Sequence, residues 1–430
     1  MGPLPGMLAT DSDIDARRVV VTGMGLITPI GHSLDDFWGS LLDGRSGISR
    51  ITRFDPSPYP CKVAGEIRDF PASEFFDEKQ RKKLALRTQF GVAAALKCLE
   101  DAEWPAGGDE GELGVVGGTT NSAVDVIEHA FAVFAERGFK GTRAMPYTLN
   151  KVFPHSIASE TAARTGFDAK ILTVATACTS GFSAIRTGMH AVLRGECEAV
   201  LCVAAESELS EYTFGYYCRA GMLAKDTELP PERISRPFDA DRSGGVMGEG
   251  AGCVLLESLD RARRRGAPVH AELLGVGITG KGYSGAAAEA VPVGFATAIR
   301  EALAESGCGP HSIDFIGAHG VSDPALDKWE TEGLKAALGS YAYSVPVSSI
   351  KALTGIPQSA AGMMQFVATV LAMRHDIVPP TMNYETPDPD CDLDYVPNTP
   401  RRNRVRRALV YAHGLNASDA AAVLQRPPST

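Results

Sequence analysis

A cysteine placed where a strand gives way to a helix is the group in this chain best suited to covalent chemistry. Over residues 174–185 the sequence reads VATACTSGFSAI. The apolar run Lys170-Ile-Leu-Thr-Val-Ala175 predicts a buried strand ending at Cys178, and Ile185, Met189 and Val192 follow at helical spacing. A thiol at the N-terminus of a helix faces the positive end of the helix dipole and unpaired backbone N–H groups. Both lower its pKa and ready it to attack an acyl carbon. Ala175, Ala177, Ser180 and Gly181 are small enough for a tight turn and leave room for a substrate. The alternative is an inert cysteine that merely fills the core.

Two histidines are placed where they could take part in chemistry. His319 ends the strand-like run Ser312–Ala318 and precedes Gly320, which places its ring at the C-terminal edge of a strand, where ligands of open α/β sheets gather. His413 lies in the segment Tyr411-Ala-His-Gly-Leu-Asn-Ala-Ser-Asp419, ahead of a strand-like Ala-Ala-Ala-Val-Leu424. Either ring has a structural alternative, satisfied by neighbouring carbonyls. Gly23-Met-Gly25 is too short for a dinucleotide-binding turn, and no metal-like spacing of Cys, His or carboxylates occurs, so neither cofactor nor metal is expected.

These groups must be held by a large scaffold. At 430 residues the chain exceeds one ordinary core, which predicts two cores or one duplicated fold. Its 44% apolar and 22% charged content is that of a globular protein without membrane spans, and a net charge of −10 argues against nucleic-acid binding. Nine cysteines without disulfide-like spacing predict a reducing, cytoplasmic setting. Residues 1–16 read as a disordered tail. A helix-then-strand pattern over Phe90–Gly118 recurs over Phe295–Ala318, and each half opens with a strand ending in glycines, Val19–Gly25 and Ala271–Gly277. We therefore expect two similar α/β halves, 17–267 and 268–430, with parallel strands covered on both faces. Ala199–Ala205 reads as an edge strand needing a partner or a helix to shield it.

From end to end the motifs resemble those of the β-ketoacyl synthases of fatty-acid and polyketide assembly. They run in order through RVVVTGMGLITPIG (18–31), the Cys178 segment, RPFDADRSGGVMGEGAG (236–252), AHG (318–320), DKWE (327–330), SSIK (348–351), PPTMN (379–383) and DLDYVP (392–397). The Cys-Thr-Ser-Gly at 178–181 resembles stand-alone type II ketosynthases. The resemblance implies the five-layered αβαβα thiolase-like fold, with Cys178 as the acylated nucleophile and His319 as the first catalytic histidine. It implies that Lys351 and Glu330 order the site electrostatically; a surface lysine and a helix-start glutamate are the plainer readings. It also implies an oxyanion and gating loop at His413, Gly414, Leu415 and Asn416. In that loop Leu415 takes the place of the family's gating phenylalanine, and His413 that of another phenylalanine.

One departure matters most. The family has histidine directly after the Thr-Gly pair, and here Ile356 follows Thr354-Gly355. Val321-Ser-Asp323 also replaces the usual Thr-Gly-Thr. Isoleucine neither donates nor accepts, so decarboxylative condensation is expected to suffer unless His413 or Gln358 supplies a donor. Three readings follow: an acyltransferase forming carbon–carbon bonds with an altered donor set; non-decarboxylative acyl transfer, release or cyclisation of a bound β-keto chain; and a non-catalytic partner resembling a chain-length factor. The intact cysteine weighs against the third. An acyl carrier protein is the implied partner, with Arg81 and Lys82 or Arg401 and Arg402 as docking candidates. A homodimer, or a heterodimer with a ketosynthase-like subunit, is expected.

Overall fold

The computed structural model describes residues 17–105, 111–225, 228–280, 291–415 and 418–427, so the expected tail lies outside it. Ten strands form one hydrogen-bonded series. In chain order they are β1 (Val19–Ile27), β2 (Leu113–Gly118), β3 (Lys170–Val174), β4 (Ala199–Glu206), β5 (Gly250–Ser258), β6 (Ala271–Gly280), β7 (Phe315–Gly317), β8 (Val347–Ser348), β9 (Arg407–Gly414) and β10 (Ser418–Gln425). Their spatial order is β8-β7-β9-β10-β6-β1-β5-β4-β2-β3. This is one pattern used twice, β1-β5-β4-β2-β3 and β6-β10-β9-β7-β8. Within each half the first two ladders are antiparallel and the last two parallel.

The helices repeat as well. α1 (Leu86–Asp101), α2 (Ser156–Thr165) and α3 (Ser180–Leu193) connect the strands of the first half as α4 (Val291–Glu305), α5 (Pro324–Leu338) and α6 (Ser359–His375) connect those of the second. α1 and α2 pack on the first half-sheet and on each other; α4 packs on the second, with α5 against α4. α3 and α6 touch each other and strands of both half-sheets. Among the described residues the half-sheets meet in register along Val19–Val21 against Ala271–Leu273, and the layers run α, β, α, β, α, as the resemblance implied. α6 is apolar on every side, and residues 359–373 are all buried, as a central layer requires.

Paired glycines explain how the outer helices lie so close. A side chain at Gly25 would overlap the carbonyl of Ala94 in α1, and one at Gly277 would overlap that of Ala298 in α4. The Gly-x-Gly of β1 is therefore a helix-packing device.

Two strand readings need correction. Ala199–Glu206 is interior, flanked by β2 and β5, while Lys170–Val174, read as buried, is the edge strand and exposes Ile171 and Leu172. An apolar run signals burial without saying which molecule provides it.

Candidate active site

Cys178 stands in the turn between β3 and α3, as its sequence setting predicted. Ala177 has φ +54°, a left-handed conformation strained for alanine, which turns the chain sharply enough to aim the next side chain out of the sheet. Ser180 locks the turn: its hydroxyl accepts from the N–H of Thr176 at 2.8 Å and donates to the carbonyl of Ala177 at 2.7 Å. Gly414, at the end of β9, lies so close that a Cβ would come within 3.2 Å of the Cys178 nitrogen and 3.1 Å of the Ala177 Cβ. Backbone from both halves thus meets at the thiol. Asn416 falls outside the described residues.

The equivalent turn of the second half, between β8 and α6, carries Gln358 at φ +43°. The two strained turns face each other: the Cys178 thiol donates to Gln358 Oε1 at 3.4 Å. Cys178, His319, Ile356, Gln358, His413 and Leu415 line one cavity of about 550 Å³ including its open mouth. Tyr217, Met222, Leu223, Gly245, Met247, Val321 and Leu326 add a largely apolar wall, with Asp323 as its one carboxylate. Leu415, 41% exposed, sits on this wall beside His413 and Gly414.

The thiol departs from expectation. Burial, reinforced by Glu206 and opposed by Lys351, pushes Cys178 up to about 12, against the lowering expected from its helix N-terminus. Desolvation of a thiolate outweighs the local dipole here. A thiol in this state attacks only if a neighbour takes its proton.

His319 is buried directly after β7. Burial, then the charges of Lys351 and His413, push its imidazole well below the ordinary value, so the ring is neutral at physiological pH. Its Nδ1 has no hydrogen-bond partner among the described residues. Glu330 fixes the backbone beneath it, accepting from the N–H of His319 at 2.9 Å and of Gly320 at 2.7 Å, and from the hydroxyl of Tyr411. Glu330 is fully buried within α5, not at a helix start, and Lys351 is buried with its ammonium 3.4 Å from the Ala318 carbonyl. Burial raises the Glu330 pKa and lowers that of Lys351, and each charge opposes the other's shift.

The replaced loop Val321-Ser-Asp323 is firmly held. Val321 N–H donates to Asp327 at 2.9 Å, Ser322 accepts from the N–H of Arg236 at 2.9 Å, and Asp323 caps α5. Ile356 is pinned by its N–H to the Val246 carbonyl at 2.8 Å and projects its side chain against Gly245.

Asp419 is the residue that the sequence reading missed. Its Oδ1 lies 2.8 Å from His413 Nδ1, both side chains buried. The signal was present in the hairpin register, which sets His413 directly opposite Asp419. The docking candidates lie apart from one another. Arg81 and Lys82 form the last turn of a short helix, Glu78–Lys83. Arg401 and Arg402 form a surface ribbon with Ile377–Val378, Arg401 being paired with Asp394.

Comparison with known proteins gives two family matches: "Beta-ketoacyl synthase, N-terminal domain" over residues 16–262 and "Beta-ketoacyl synthase, C-terminal domain" over residues 270–385. A 3-oxoacyl-[acyl-carrier-protein] synthase 2 from Synechocystis sp. is 38% identical over 404 residues, covering 94% of this chain and 96% of its own. The tetracenomycin polyketide synthase ketoacyl synthase alpha subunit of Streptomyces glaucescens is 35% identical over 96% of this chain and 98% of its own. Among solved structures, the ishigamide ketosynthase/chain length factor matches with a TM-score of 0.87 and 31% identity, over 96% of this chain and 100% of that one. A type II acyl-carrier protein in complex with its ketosynthase bound to the hexaketide matches with a TM-score of 0.87 and 28% identity, with the same coverage.

Proposed function

The chain belongs to the β-ketoacyl synthase family, and on that premise we propose that it takes an acyl group from an acyl carrier protein onto Cys178 and uses it to form a carbon–carbon bond with an altered donor set. The observation that carries this reading is the cysteine itself, presented on a strained turn into an apolar cavity beside His319. The family resemblance makes the backbone N–H of Cys178 one oxyanion donor, and Gly414 packs directly on that backbone. The cavity's Met, Leu, Val and Ile walls favour a hydrocarbon or weakly polar acyl chain. Intact-protein mass spectrometry after incubation with acyl carrier protein tests the proposal: the mass should rise by one acyl group, located on Cys178. No adduct with any acyl chain would overturn it.

A second reading, non-decarboxylative transfer, release or cyclisation of a β-keto chain, is favoured by the apolar side chain of Ile356 on the cavity wall. A carbon flanked by two carbonyls is already acidic, and one imidazole base suffices for it. A chain-length-factor role fits least, because the nucleophile and its turn are complete.

For the carrier we favour the Arg81 and Lys82 side. These two line one open cleft with Arg53, Arg68, Glu66 and Glu78, in which Arg53 and Arg68 pair with Glu66 and Lys82 pairs with Glu78 at 2.6 Å. Arg81→Glu with Lys82→Glu is expected to slow acylation from the carrier roughly tenfold or more, as loss of charge complementarity slows encounter. Acylation from a small thioester should stay within about twofold. Equal losses with both donors would rule out docking there. For a second subunit, the edge strand β3 offers unpaired backbone beside exposed Ile171 and Leu172. Phe131, Phe134 and Phe139 are also exposed.

A further inference from the structure

We propose that His413, held by Asp419, is the general base that takes the proton of the Cys178 thiol and returns it to the departing carrier thiol. The inference rests on Cys178 being the acylated group.

The argument begins with the tautomer. A carboxylate only accepts hydrogen bonds, so the 2.8 Å contact with Asp419 Oδ1 places the proton of His413 on Nδ1. Nε2 then carries a lone pair. His413 lines the cavity that also holds Cys178, and its chain neighbour Gly414 packs directly on the Cys178 backbone. The pair is rigid. His413 and Asp419 face each other across the β9–β10 ladder, and the His413 ring packs 5.0 Å from that of Phe295. Asp419 Oδ2 is seated against Gly294 in the first turn of α4, where a Cβ would overlap it and where the helix dipole favours negative charge.

The other imidazole is less suited to this task. His319 has Nδ1 unpartnered among the described residues, so no acceptor selects its tautomer, and Lys351 opposes any gain of charge. The titratable groups around His413 are Asp419, in direct contact, His319 at a ring separation of 6.0 Å, and, around the shared cavity, the Cys178 thiol, Tyr217 and Asp323. Of these, Asp419 is the one hydrogen-bonded to the ring. His319 remains available to donate to the thioester oxygen while His413 accepts from sulfur.

The step balances. The Cys178 S–H bond breaks and its proton passes to His413 Nε2 as the Sγ–acyl bond forms. The acyl–sulfur bond to the carrier then breaks, and the leaving thiolate takes the same proton back. The products are acyl-Cys178 and free carrier thiol, and neither oxidant nor reductant is consumed.

The test is alkylation of Cys178 by iodoacetamide across pH 5–10 in the full-length protein, a reaction that needs the thiolate but no acyl donor. Its outcome is therefore independent of whether the acyl chemistry proposed above is correct. Adducts are assigned by peptide mass, since Cys218 and Cys308 are partly exposed. His413→Phe is expected to slow alkylation of Cys178 at pH 7 roughly 100-fold and to move the rising limb of the profile to higher pH. Asp419→Asn, which is isosteric, should produce a smaller loss in the same direction, and the double variant should be no slower than His413→Phe. Should His413→Phe fail to fold, Asp419→Asn alone decides. A wild-type rate and profile in either folded variant would overturn the proposal, as would slowing without a shift of the limb, which is what a merely structural role would give.

Discussion

Replacing Cys178 with alanine is expected to remove the covalent acyl adduct completely while the protein stays folded. The side chain faces an existing cavity, so truncation opens no new hole in the core. It removes one long contact to Gln358, and the strained turn is held by Ser180 and the backbone rather than by sulfur. A stability change of about 1 kcal/mol or less follows. Cys202 and Cys218 are poor substitutes: neither lines the cavity, and Cys202 is fully buried with its thiol on the Ala184 carbonyl. Intact mass and thermal midpoint together check the outcome. An adduct that survives in Cys178→Ala, or that maps to Cys202 or Cys218, would sink the assignment.

The second large effect concerns carbon dioxide release. Unaltered protein should accept an acyl group yet decarboxylate malonyl carrier protein slowly, because Ile356 offers no hydrogen bond to the thioester oxygen as charge gathers on it. One missing oxyanion donor costs roughly 100- to 1000-fold. Ile356→His should recover part of that rate. The backbone at 356 is fixed between Val246 and Gly248, so a ring there enters the same cavity, but Gly245 crowds the position and Pro357 follows it. A displacement of about 1 Å is enough to lose on the order of 100-fold. Recovery is therefore expected to be partial, read as labelled carbon dioxide from malonyl carrier protein. Brisk decarboxylation by the unaltered protein would contradict this account and shift the donor role to Gln358 or to a protonated His413. Substituting each would then separate them.

Where chemistry depends on residues adjacent in the chain, the sequence was legible. The Cys178 turn is encoded locally by its small residues and the helical spacing behind it, and the duplicated α/β order could be read from recurring strands, helices and glycines. Features that depend on register or on distant pairing were not legible. Asp419 gains meaning only when the β9–β10 register sets it opposite His413, and the facing of Gln358 and Cys178 joins turns 180 residues apart. The thiol's state was misjudged for a related reason. Local sequence shows the helix dipole, whereas desolvation comes from a whole surrounding of residues that only folding assembles.

The shared middle layer also bears on how the molecule comes apart. α3 belongs to the first half and α6 to the second, yet each helps seal the inner face of both half-sheets. A chain severed between the halves would leave α6 with no complete partner for its apolar sides. The duplicated pattern therefore does not mark two independently melting modules. The halves should exchange their core amide protons together, in one cooperative opening, with the nucleophile turn protected as strongly as the centre of the sheet.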